Sequence, residues 1–149
     1  MPELVEQKDL IVRVALPEDI DGLVEMNTLF NAVEISPAQL AQRMQDPCCV
    51  ETAVVALLKG KVIGFAALRI VPCLFYPDPH GEITELFVLA SYRQQGVAKK
   101  LIDFAENLAR QKNVRELFIL VNPYNIEAIS FYRKLGYHDN DVALSKILD

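Results

Sequence analysis

Arg93, Gln94, Gln95, Gly96, Val97 and Ala98 stand between a strand-like run and an amphipathic run. The first free N–H groups of a helix and its dipole can hold an anion at such a place. Gly96 leaves no side chain where backbone must approach a ligand closely, and Ala98 keeps the first turn small. Lys99 and Lys100 occupy a helix start that ordinarily favours Asp or Glu, so an anion such as a phosphate would relieve the charge. Glycine and basic residues also occur in ordinary strand-to-helix turns, and this segment alone leaves both readings open. It lacks the Gly-Lys-Ser/Thr ending of a nucleotide P-loop and the Gly-x-Gly-x-x-Gly of a dinucleotide fold. Further along, Asn125 and Tyr132 lie two helical turns apart, so they can address one ligand from one face. Phe131 and Leu135 fall on another stripe, which suits a core.

The elements that must position these residues follow from periodicity. Residues 10–14 alternate branched apolar residues with Arg13 as a strand, and Pro17, Glu18 and Asp19 open a helix running towards Phe30. Ser36, Pro37 and Gln39 resemble a capping box with proline at the first helical position, so a second short helix should reach Asp46 before Pro47 stops it. Residues 52–58 and 62–71 are strand-like and joined through Lys59, Gly60 and Lys61 as an antiparallel hairpin. Both runs are apolar at odd and even positions, the pattern of a sheet covered on each side by helices. A loop over 72–81 leads to a strand over 82–89. Val97, Leu101, Phe104, Ala105 and Leu108 then recur at helical spacing in a helix ending near Lys112. A strand over 114–121 is broken by Pro123 before a helix over 125–135 closed by Gly136, and 142–147 reads as a last strand. The expected fold is a mixed α/β (α+β) sheet flanked by about four helices, without repeats or linkers.

With 149 residues and 52% hydrophobic content, one domain spanning 1–149 is expected. The longest apolar stretches are interrupted at Lys59, Gly60 and Lys61, well short of the roughly 20 residues of a membrane span. Glu3, Glu6, Lys8 and Asp9 stand where a secretion signal needs a basic start and an apolar run, so a cytoplasmic protein with no membrane partner is expected. Cys48, Cys49 and Cys73 suit neither a disulfide framework nor a metal-ligand spacing; reduced thiols and no metal are expected. A net charge of −5 argues against nucleic acid as the main partner and fits a cationic or amine-bearing substrate, although ordinary solubility explains it as well.

Taken together, the sequence resembles the GNAT superfamily of N-acetyltransferases. That family marks its acetyl-CoA site by Arg/Gln-x-x-Gly-x-Gly/Ala after a strand, here Arg93 to Ala98, and by Asn-x-x-Ala-x-x-Phe-Tyr, here Asn125 to Tyr132. The resemblance covers residues 54–148 well and the first helices by architecture. It implies a mostly antiparallel central sheet splayed open between the 82–89 and 114–121 strands, with the pantetheine arm of acetyl-CoA in the gap. Backbone groups of Phe87 and Val88 would hold that arm. The pyrophosphate would rest on the amides from Gln94 through Gln95, Gly96, Val97 and Ala98 to Lys99, beside Arg93, and Asn125 would reach the cofactor from the next helix. Gln94 and Gln95 depart from the family, where many members place Gly and a basic residue. Gly81-Glu82-Ile83-x-Glu85-Leu86-x-Val88 also resembles aminoalkylphosphonate N-acetyltransferases. A homodimer is compatible with the family.

The implied activity is acetyl transfer from acetyl-CoA to a primary amine of a small molecule. An alkyl amine, with a pKa of about 10, must lose a proton before it attacks a thioester. Glu82 and Glu85 are the candidate bases, and strict alternation along the strand would put them on opposite faces. Family position favours Glu82 first and Glu85 second, while either could simply pair with a nearby Lys or Arg; His80, in the preceding loop, is a third candidate. Tyr132 carries a hydroxyl that can protonate the departing thiolate, or serves as a half-buried core tyrosine. No cysteine has an obvious activating partner, so direct transfer in a ternary complex is expected over a ping-pong route. The rivals are a non-catalytic acyl-CoA-binding or sensing module and a protein or peptide N-acetyltransferase. The first is opposed by Glu82, Glu85 and Tyr132, the second by a 72–81 loop that looks like a lid over a small substrate.

Overall fold

The computed structural model describes residue 6 and residues 8–148; the acidic N-terminal stretch weighed against a secretion signal begins at Glu3, outside the described residues. The chain divides into two units between Phe118 and Ile119. The sheet runs β1 (Leu10–Val14), β2 (Glu51–Leu58), β3 (Lys61–Val71), β4 (His80–Val88), β5 (Leu117–Ile119), and its first four strands are antiparallel neighbours. Both-sided apolarity of β2 and β3 has the expected cause. Val54 and Val55 are adjacent and both fully buried, because each faces a different helix layer.

On one face, α1 (Ile20–Asn31) places Leu23 and Met26 against Val55, Leu57, Val62 and Phe65, with Leu40 and Met44 of α2 (Pro37–Gln45) packed beside them. On the other, α3 (Val97–Gln111) places Val97 and Leu101 against Val54, Ala56, Ile63 and Val88. The start of α1 is set by Asp19, 4% exposed, which accepts hydrogen bonds from Arg13 Nη1 at 2.5 Å and from the Leu16 amide at 2.7 Å. Burial alone would push this carboxyl up; Arg13 and the Leu16 amide instead hold it below its ordinary value. The capping box of α2 forms as read: the Gln39 amide donates to Ser36 Oγ at 3.1 Å, and the Ser36 amide donates to Gln39 Oε1 at 2.9 Å. Lys59 and Gly60 alone make the hairpin turn, both with positive φ, and Lys61 already opens β3.

Gly64 on β3 is fixed by close approach. A Cβ there would lie 2.8 Å from the Phe87 carbonyl oxygen and 3.3 Å from Val88 Cα, backbone that cannot step aside without moving β4. Gly64→Ala is therefore expected to destabilise the protein by roughly 1–3 kcal/mol, the cost of overpacking, as a lowered midpoint in urea or thermal unfolding. An unchanged midpoint would mean that β4 is free to shift.

Three expected boundaries are corrected. β4 starts at His80, which pairs with Val71, so His80 is a strand residue. β5 covers only Leu117–Ile119 of the expected 114–121, because the Val114 amide is used by the Ala109 carbonyl in the turn that ends α3. In the second unit, α4 (Ile126–Lys134) forms, but 142–147 makes no strand; Val142, Leu144 and Ile147 are 83–94% exposed and have no strand pairing.

Candidate active site

Gly96 is the N-cap of α3 and sits at φ +82°, a conformation that glycine adopts without strain. Gln94, at φ 59°, takes the same left-handed region just before it. No side chain caps the α3 start and no acid occupies its first turn, so its amides keep their capacity to bind an anion. Lys99 is held by Asp103 at 2.6 Å, so the charge anomaly read at this position is relieved in part from within the helix. Val97 is buried in the core and offers a ligand only its amide; Ala98 is half-buried beside it. Arg93 Nε donates to the Val88 carbonyl at 2.8 Å, with its guanidinium 5.5 Å from the Phe87 ring centre. This contact ties the end of β4 to the turn before α3. Gln95 Nε2 donates to the Ser91 carbonyl at 3.2 Å.

The carboxylates of β4 are arranged differently from the expectation. Ala67 pairs with Glu85, but Leu68 pairs with Ile83, so Thr84 is an extra residue in β4. Glu82 lies opposite Arg69, and Ala67 and Arg69, two residues apart, share a face. Glu82 and Glu85 are therefore on the same face, the α1 side, because the bulge cancels the odd spacing between them. Three cross-strand rows result: Glu51–Arg69–Glu82, then Ala53–Ala67–Glu85, then Val55–Phe65–Phe87. Phe30 of α1 stacks on Phe87 at 5.1 Å.

Glu82 is 7% exposed and accepts from Arg69 Nη2 at 2.6 Å, with His80 Nε2 3.8 Å from the same oxygen. That hydrogen bond and the charge of Glu82 raise the Arg69 guanidinium further above its ordinary value. The His80 ring stacks on Phe118 at 4.9 Å. Glu85 meets the amide of Asn31 at 3.3 Å. Burial and the nearby Glu51 charge push its carboxyl up against the pull of that hydrogen bond. Arg69, Glu51, Thr84 and Asn31 were not singled out from sequence. Arg69 did carry a signal, as a charged residue late in an apolar run, but its partner depends on strand register.

In the second unit, Asn125 is the N-cap of α4, and its Oδ1 accepts from the Ala128 amide at 3.1 Å. Its side chain is thereby turned onto the helix start. The Tyr132 ring lies 5.3 Å from Phe131 and 6.0 Å from Tyr137, and burial raises its phenol above the ordinary value.

The model of the Acetyltransferase (GNAT) family matches residues 23–137. This chain belongs to that family, and its domain is of the acetyl-CoA-dependent acetyltransferase kind. An aminoalkylphosphonate N-acetyltransferase of Salmonella typhimurium is 32% identical over 93 residues, which are 62% of this chain and 60% of that protein. An N-alpha-acetyltransferase of Saccharolobus solfataricus is 24% identical over 146 residues, covering 91% of this chain and 86% of that protein. A solved aminoglycoside N-acetyltransferase in complex with CoA has a TM-score of 0.81 at 22% identity, covering 93% of this chain and 94% of that one, a likeness of fold. The residues present fit acetyl-CoA: uncapped amides at α3 and a glycine N-cap suit a pyrophosphate. Among the described residues, no helix is long and apolar enough to cross a membrane.

Proposed function

We propose that this chain transfers the acetyl group of acetyl-CoA to a primary amine of a small molecule, by direct attack in a ternary complex. The observation that carries this reading is the arrangement on consecutive elements of a half-buried carboxylate, Glu85, and an uncapped α3 start joined to β4 through Arg93. Acetyl-CoA supplies the thioester and, in this reading, lays its pyrophosphate on the amides from Gln94 to Lys99. Phe87 and Val88 hold the pantetheine arm by backbone groups.

Glu85 takes the ammonium proton, directly or through a water, since its raised carboxyl is the better matched acceptor and no cation pairs with it among the described contacts. Glu82 is engaged by Arg69 and shapes the charge around the amine. The amine nitrogen then bonds to the acetyl carbon; as the carbon–sulfur bond breaks, Tyr132 gives its phenol proton to the thiolate, and the second proton of the attacking nitrogen leaves to the tyrosinate, directly or through water, so that a neutral amide and a neutral phenol remain. A phenol with a raised pKa is protonated at neutral pH, as this role requires. Cys49 and Cys73 favour no ping-pong route: among the described residues their thiols meet backbone carbonyls, at 3.8 and 3.9 Å.

Three carboxylates, Glu51, Glu82 and Glu85, against Arg69 favour an acceptor with net positive charge over an aminoalkylphosphonate. The similarity to an N-alpha-acetyltransferase over 91% of the chain supports a second reading, a peptide N-terminus as acceptor. A panel of polyamines, aminoglycosides, aminoalkylphosphonates and peptides, read by release of the coenzyme A thiol, separates them. A polyamine or aminoglycoside should head the panel. Acetyl-CoA binding without release for any amine would identify a sensing module. Tyr132→Phe is expected to lower kcat by up to about 10²-fold with acetyl-CoA affinity retained, since the hydroxyl matters when the thiolate leaves. Lost affinity at unchanged kcat would make Tyr132 a binding residue.

A further inference from the structure

Glu51 stands at the start of β2, two strands from β4, yet it accepts a hydrogen bond from Thr84 Oγ1 at 2.7 Å. Thr84 is the extra residue of the β4 bulge, and its hydroxyl also lies 3.4 Å from the Ala67 carbonyl, opposite the register shift. The parity of β4 hangs on this one residue. Without the insertion, the alternation of side chains would send Glu82 and Glu85 to opposite faces, and one of them would face the apolar cluster under α3. A bulge leaves its extra residue outside the ladder, so a side-chain anchor is what holds it in one place.

We propose that Glu51 and Thr84 are positioning residues, a side-chain clamp across β3 that fixes the bulge and so presents Glu85 on the face it shares with Glu82. The catalytic consequence rests on the reading of Glu85 as proton acceptor; the clamp itself does not. Glu51 has a second effect through its charge, which adds to burial in keeping the Glu85 carboxyl above its ordinary value. The charged and titratable groups on this face are Glu51 of β2, Arg69 of β3, and His80 and Glu82 of β4, with Arg13 of β1, opposite Val55, engaged by Asp19 and Glu18, while α1 contributes the neutral Asn31.

The test is a carbon-13 titration of the glutamate carboxyls in the full chain, which needs no acceptor, together with turnover on the best amine of the panel. Glu51→Gln keeps an acceptor oxygen for Thr84 and removes the charge; the Glu85 titration should move down while its amide remains protected from hydrogen exchange. Thr84→Val keeps the branched shape and removes the donor; the Glu85 amide should lose protection and kcat should fall roughly tenfold to 10²-fold, the effect of a small misplacement, at unchanged acetyl-CoA KM. Thr84→Ser should restore both. Native protection and kcat in Thr84→Val overturn the clamp, and an unmoved Glu85 titration in Glu51→Gln overturns the charge effect of Glu51 alone. If Glu85→Gln proves inert while Thr84→Val still alters protection, the assignment of the base falls and the clamp stands.

Discussion

Replacing Gly96 with glutamate is expected to abolish acetyl-CoA binding while the domain stays folded. Gly96 is exposed. The carboxylate would stand among the amides of α3 that no side chain caps, and would compete with a pyrophosphate for them. At φ +82° any side chain also carries backbone strain, of the order of 1–2 kcal/mol. Gly96→Asn is the comparison, because asparagine tolerates this conformation and places an uncharged side chain where the backbone must approach the pyrophosphate. Calorimetry should show no heat of acetyl-CoA binding for Gly96→Glu and weakened binding for Gly96→Asn, with the Gly96→Glu thermal midpoint the lower by about 2–8 °C. Undiminished affinity in Gly96→Glu would place the pyrophosphate elsewhere.

Glu85→Gln should lower turnover by about 10²–10⁴-fold, the contribution of a positioned base. Activity should partly return at high pH, where more of the amine is already neutral. Glu82→Gln should be the milder change, acting through Arg69, which loses its partner on a half-exposed side chain. Should Glu82→Gln be the crippling variant, the roles revert to the order of family position. Stability gives an independent reading. The folded state raises the Glu85 carboxyl, so it binds more protons than the unfolded chain between the ordinary value and the raised one. Wild-type stability therefore falls as pH rises through that window, and Glu85→Gln removes the loss. At neutral pH the variant should melt no lower than wild type, and the difference should vanish below the ordinary carboxylate range. A variant that melts lower at neutral pH would mean that the Asn31 contact outweighs burial.

Much of this protein was legible along the chain, because the deciding signals were local. Ser36 and Gln39 cap α2 by reaching only three residues, and Val54 and Val55 announce a two-sided strand by being adjacent and apolar. The Gly96 turn could likewise be read from one residue type at a helix start. Where a signal competed with a longer-range demand, it failed: Val114 looks like strand, but its amide ends α3, and the apolar alternation of 142–147 finds no partner strand.

The sequence by itself determined the order of elements, the mixed α/β architecture and the residue types at the uncapped turn before α3, since helix caps, turns and periodicity act within a few residues of one another. Which carboxylates share a face was decided only by the tertiary structure. Parity along a strand is a one-residue matter, and the insertion of Thr84 that changes it is held by Glu51, 33 residues away. The pairing of Arg69 with Glu82 likewise follows from the register of β3 against β4, so no local pattern could name which carboxylate Arg69 engages.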